Sequence, residues 1–284
     1  MTARYRMAAL FVGCVAALTA CGGDGPTGPA GPEGPRGGPG PVSYLVIGAE
    51  NADYRVAEVA LSMFGEGSFA PGSTVDTFNA RTLTPTLNDL APHDVVLVYG
   101  DFAFADSIAV GDVLADYVDA GGNVVLTQRC FSITSNDEAL GGRIMTPGYS
   151  PFGLGPGAAD GTDRIVDLSA LALPPHPVFT GIDLVQAQFP AFPSYSNPPV
   201  QGTVTLIAVF TNGHHGVAIN AAGTVMAINL APGAALPSET VRLFANAVLF
   251  LAGELRAPDP DGSFPGRLAN GEERRGPHVP EEDR

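Results

Sequence analysis

The sequence predicts an α/β protein built on a mostly parallel, doubly wound sheet with helices on both faces. Three observations predict it. Short apolar runs that suit buried strands alternate with helix-length segments across residues 43–129. The runs "DVVLVYG" (94–100) and "NVVLTQR" (123–129) are apolar and β-branched on both faces, as strands of a helix-covered parallel sheet are. Between them, "ADSIAVGDVLADYVDAGG" sets Val110, Val113, Leu114, Tyr117 and Val118 on one stripe, with Asp112, Asp116 and Asp119 facing away, which is helical spacing.

The elements follow in order. "SYLVIGA" (43–49) is a short apolar run that reads as a buried strand. Tyr54 to Phe64 carries apolar residues at 56, 59, 60 and 63 and reads as a helix. "STVDTFNA" (73–80) is the second strand. Asp106 or Ser107 caps the helix that precedes "NVVLTQR", and Gly121 suits the left-handed position after its last turn. Such a βαβ succession implies right-handed crossovers. Residues 132–199 are rich in loops, glycine and proline. "TVTLIAVFTNG", "HGVAINAAG" and "TVMAINLAP" then read as three strands joined by short turns, and a helix from Ser238 to Gly253 closes the fold against the sheet.

The flanks are of a different kind. Arg4 and Arg6 precede an uncharged apolar run, Met7 to Ala20, too short for a spanning helix of about 20 residues and suited to a secretory signal. Leu18-Thr19-Ala20-Cys21 resembles a bacterial lipoprotein signal, which implies cleavage before Cys21 and lipidation of its thiol. Gly22 stands where an inner-membrane retention aspartate would be, which favours an outer-membrane or surface address. Glycines 25, 28, 31, 34 and 37 keep a period of three, a collagen-like pattern that reads as an extended tether. The expected organisation is therefore a signal peptide (1–20), a lipidated cysteine with its tether (21–42), a globular domain (43–255) and a disordered tail (256–284).

Composition excludes several chemistries. The 14 basic residues are all arginine, so neither a Schiff-base lysine nor a P-loop lysine is available. The formal net charge of −15 argues against nucleic acid and anionic headgroups as partners. After cleavage only Cys21 and Cys130 remain, so no disulfide is expected within the domain.

Taken together, "DVVLVYGDFAFADSIAVGDVLADYVDAGGNVVLT", "GGRIMTPGYSPF", "HPVFTGI", "VFTNGHHGVAI", "MAINLAP" and "FANAVLFLAG" resemble the class I glutamine-amidotransferase-like superfamily, in particular its ThuA-like branch. The resemblance covers about Ser43 to Leu255. It implies a flavodoxin-like sheet and, in the enzymes, a Cys-His-Glu triad with the cysteine on a tight turn after a strand. Cys130 falls near that turn, but the flanking glycines of the pattern are replaced in Gln128-Arg129-Cys130-Phe131-Ser132. Ala231-Pro232-Gly233 stands where the histidine and glutamate should be. The triad therefore reads as lost, and Cys130 as a small buried apolar side chain.

Weaker candidates remain. His214 and His215 suit a surface turn better than a metal site, because neighbouring residues on a strand point to opposite faces. No metal or other cofactor is implied. His176 belongs to a packing loop, and Asp106 is a helix cap. In open α/β sheets ligands bind beyond the carboxyl ends of the strands, which marks Glu50, Asn51, Asp101 and Arg129 as the ligand-binding cleft. Cys130, Asp101 and His214 are the weak catalytic candidates. The expected function is a binding or structural module at the cell envelope, with carbohydrate or another envelope component as partner. The alternative is a ThuA-like hydrolase or sugar-modifying enzyme using residues outside the triad.

Overall fold

The computed structural model describes residues 40–133, 139–156, 164–167, 176–182, 188–191, 197–210, 213–232 and 238–255. The signal segment, Cys21, the Gly-Pro run, Gly233 and the tail lie outside these residues. The elements are β1 (Ser43–Ala49), α1 (Asp53–Glu66), β2 (Thr74–Asn79), α2 (Leu87–Leu90), β3 (Val95–Gly100), α3 (Ser107–Asp119) and β4 (Asn123–Thr127). The short strands β5 (Ser132–Ile133), β6 (Gly155–Pro156), β7 (Arg164–Asp167) and β8 (Gln188–Ala191) follow. The chain then forms β9 (Val204–Val209), β10 (His215–Asn220), β11 (Val225–Ile228) and α4 (Ser238–Leu251).

Seven strands form the main sheet in the order β2-β1-β3-β4-β11-β10-β9. The first five run parallel, and β10 and β9 add antiparallel at one edge. This is the flavodoxin-like α/β architecture expected from the sequence. Because side chains alternate across a strand, β1 and β3 feed two cores. Tyr44, Val46, Val95 and Leu97 meet α1 and α4 on one face, while Leu45, Ile47, Val96 and Val98 meet α3 on the other.

The helices form for the reasons the pattern gave, with two additions. In α1, Val56, Val59, Ala60 and Met63 are buried. In α3, Asp106 caps the first turn by accepting from the Ala109 N–H at 2.9 Å, and Gly121 takes the left-handed conformation at φ +96°. Helix α4 exceeds its expected apolar stripe and is buried around most of its circumference, wedged against α1 and the sheet. The second addition is the aspartate face of α3. Arg143 pairs with Asp116, and with Asp119 at 3.3 Å, while its backbone N–H donates to Asp112 at 2.8 Å. The Tyr149 hydroxyl donates to Asp119 at 2.7 Å. The acidic face is thus the dock for the segment around residues 141–149.

Candidate functional site

Parallel strands deliver their next residues to one edge of the sheet, and this is where the predicted cleft residues fall. Glu50 follows β1, Asp101 follows β3, and Arg129 follows β4. The Asp101 and Phe102 N–H groups both donate to the Ala49 carbonyl, at 3.1 and 2.9 Å, which ties the two loops together. Arg129 closes the group from the third strand. Its Nη1 lies 2.8 Å from Asp101 Oδ1 and donates to the Asp101 carbonyl at 2.9 Å.

Glu50 is the unusual member. It is only 9% exposed, and its backbone is held from β2: the Asn79 side chain accepts from the Glu50 N–H and donates to the Glu50 carbonyl. Burial raises the Glu50 carboxyl above its ordinary value, and the Asp101 carboxylate adds to the rise. The Asn51 N–H, the Tyr99 hydroxyl and Arg55 oppose it. Tyr99 comes from β3 and lies over Gly48, where a Cβ would sit 2.7 Å from the ring, so glycine is required at that position. Its buried hydroxyl lies near Glu50 without closing a well-formed hydrogen bond. Burial, and next the Glu50 charge, push the phenol strongly upward. Beside this group the Arg81 guanidinium stacks 4.3 Å from the Phe102 ring centre.

Glu50, Asp101 and Arg129 are therefore brought together. Asn51 is exposed and contributes its backbone N–H to Glu50. Tyr99 and Asn79 were not legible as site residues. Both sit inside strand patterns, and only the pairing of β1 with β2 and β3 places them beside Glu50.

Cys130 stands apart from this group chemically. β4 stops at Thr127, and Gln128–Cys130 form a 3₁₀ turn where the strand was expected to continue to Arg129. Cys130 is fully buried, and its thiol donates to the Val98 carbonyl at 3.3 Å. Burial pushes that thiol up to about 12, only partly opposed by hydrogen bonding from Thr127. Phe131 packs edge-on against Phe152 over the turn. At the end of β11, Leu230 accepts from the Gln128 N–H, and Ala231 and Pro232 offer no titratable group where a base would be needed.

The histidines also find structural places. His215 is half-buried at the start of β10, stacks on Phe152 and contacts the Pro198 carbonyl through Nδ1 at 3.0 Å. His214 is likewise half-buried, and its carbonyl accepts from Phe210, so neither residue lies on the open surface turn expected. His176 packs against Phe250, as a packing loop would. Among the described residues no three His, Cys, Asp or Glu side chains gather as a metal-ligand set.

The sheet order and the edge that collects Glu50, Asp101 and Arg129 define a flavodoxin-like α/β domain with a polar cluster at the carboxyl ends of its strands, the end at which such sheets bind ligands. Its backbone is similar to a ThuA-like protein from Bacteroides uniformis, with a TM-score of 0.52 at 14% identity over 79% of this chain and 94% of that one. It also matches PurLQS from Thermotoga maritima at a TM-score of 0.46 and 11% identity, covering 74% of this chain and 99% of that one. At such identities the likeness is one of fold. No protein-family model and no curated protein matches the chain.

Proposed function

We propose that this chain is an envelope lipoprotein whose α/β domain is a binding or structural module with a degenerate amidotransferase-like site. The observation that carries the loss of catalysis is the burial of Cys130. A nucleophile must reach its substrate as a thiolate. This thiol is covered, bonded to a backbone carbonyl and shifted away from ionisation. The binding part of the reading is supported by the polar cluster, where a half-exposed carboxylate, a partly exposed guanidinium and a buried carboxyl offer donors and acceptors at the ends of three neighbouring strands. That mixture suits a polyhydroxylated ligand such as an envelope carbohydrate, whose hydroxyls both donate and accept.

A glycan array probed with the protein tests the reading. Binding is expected to fall in Arg129→Ala and Asp101→Asn and to persist in Cys130→Ala; binding equal in all three would overturn the assignment. Anchoring has its own test. Labelled fatty acid should enter the wild type and not Cys21→Ser, and a Cys21→Ser variant that stays with membranes in high salt would contradict it.

One observation favours the enzymatic alternative. Glu50 and Asp101 are neighbouring carboxyl groups, and burial together with the Asp101 charge raises Glu50, as a protonated general acid requires. Hydrolysis of nitrophenyl glycosides that disappears in Glu50→Gln would establish that reading in place of the first.

A further inference from the structure

Every arginine whose side chain is described pairs with a carboxylate except one. Arg55 meets Glu58 at 3.1 Å, Arg129 meets Asp101 at 2.8 Å, Arg242 meets Glu66 at 3.2 Å, and Arg143 meets Asp116 and Asp119. Arg81 is exposed, and among the described residues no carboxylate lies within ion-pair distance of it. The chain carries 29 acidic residues against 14 arginines, so this is not for want of carboxylates.

Arg81 stands at the carboxyl edge of the sheet, just beyond β2. Its N–H donates to the Asn79 side chain at 3.2 Å, and the same side chain holds the Glu50 N–H and carbonyl. Ala80 donates to the Gly48 carbonyl, and Phe102 to the Ala49 carbonyl, so the loops that carry Arg81 and Phe102 are both pinned to the end of β1. The acidic neighbours are engaged elsewhere. Asp101 is taken by Arg129, Asp53 accepts from Asn79 Nδ2 at 2.9 Å, and Glu50 is buried against the Asn51 N–H and Tyr99. What does meet Arg81 is the Phe102 ring, 4.3 Å from the guanidinium carbon to the ring centre. Such a contact steadies the side chain without neutralising it. The planar fork of N–H donors keeps its charge, and its geometry matches a carboxylate taken through two parallel hydrogen bonds.

We propose that the ligand of this edge is an acidic sugar, a uronate, whose carboxylate is read by Arg81 while its hydroxyls meet Asp101 and Arg129. The proposal rests on the reading of the domain as a carbohydrate-binding module and names the class of sugar. A single carboxylate is compatible with the net charge of −15, because exposed charges more than about 8 Å away are largely screened at physiological salt.

Titration of the full chain with methyl glucuronide, followed by amide NMR, tests it, with methyl glucoside as the neutral sugar of the same ring. Saturable shifts are expected at the Arg81 and Phe102 amides. The glucuronide should bind at least about tenfold more tightly than the glucoside, equivalent to about 1.4 kcal/mol. Arg81→Gln should bring the glucuronide down to the affinity of the glucoside and leave the glucoside unchanged, which a merely structural role would not do. Arg81→Lys keeps the charge but not the fork and should retain only part of the preference. Equal binding of the two sugars overturns the proposal and leaves the carbohydrate module standing, as does a preference that survives Arg81→Gln. Binding of neither sugar overturns the proposal and the carbohydrate reading together.

Discussion

Native Cys130 should be almost inert to thiol reagents, and the size of the effect follows from its surroundings. The thiol moves from an ordinary value of 9.0 to about 12, which corresponds to about 4 kcal/mol against the thiolate. At pH 8 the thiolate fraction falls from roughly 10⁻¹ to roughly 10⁻⁴, so ionisation alone slows alkylation about 10³-fold. Complete burial adds a second barrier, because reagent must wait for the Phe131–Phe152 cover and the 3₁₀ turn to open. The assay is iodoacetamide labelling at pH 8, read by mass spectrometry on the tryptic peptide that begins at Cys130. Native protein should label at least about 10³-fold more slowly than protein in urea, where the thiol returns to its ordinary value. Native labelling within about tenfold of the unfolded rate would refute the buried, un-ionised thiol. It would restore Cys130 as a candidate nucleophile.

Other expectations concern charge and docking. Glu50 has a raised folded-state value, so the native state holds its proton more tightly than the unfolded chain. The wild type should lose stability as pH rises from the ordinary carboxylate range through that raised value, while Glu50→Gln lacks this slope; parallel urea titrations at pH 4 and pH 7 give the comparison, and identical slopes would remove Glu50 as a buried acid. Arg143→Ala should free the segment around residues 141–149 from α3, seen as faster amide exchange at Met145, which vanishes as a difference in high salt. Because these ion pairs are about half exposed, the global melting midpoint should move by less than about 2 °C. Tyr99→Phe should leave the fold intact and lower the Glu50 acidity further, since the hydroxyl that helps stabilise the carboxylate is removed; an unchanged Glu50 titration by carbon-detected NMR would contradict the contact.

Much of the architecture was written in local patterns. The runs at β1, β3 and β4 are continuous and apolar because both faces are covered, and α1, α3 and α4 repeat their apolar residues at helical spacing. Each signal needs only neighbouring residues. The short α2 also carried one, since Thr86 and Asp89 form a reciprocal capping box, but four residues leave no periodicity to read. Misplaced features depended on distant partners. Arg143 meets Asp116 across 27 positions, and Asn79 meets Glu50 across 29, distances at which sequence carries no geometry. The same holds for His215, whose half-buried ring stacks on Phe152, 63 positions away. The polar cluster was legible to the extent that strand ends mark it: Glu50, Asp101 and Arg129 converge, whereas Tyr99 was hidden inside a strand that reads as pure core. The turn at Gln128–Cys130 could not be read from the apolar run before it, because what ends β4 at Thr127 is the pairing with β11 and the bond from Gln128 to Leu230.

The central claim is that Cys130 is part of the core of this flavodoxin-like domain and does not serve as a nucleophile. Ammonia release from glutamine tests it most directly. Removal of a general base alone costs about 10²–10⁴ in rate, and here the thiol is also buried, so the wild type and Cys130→Ala should both show no release above the uncatalysed background. Release by the wild type that disappears in Cys130→Ala would contradict the account, since it would show the buried thiol reaching substrate as a working nucleophile.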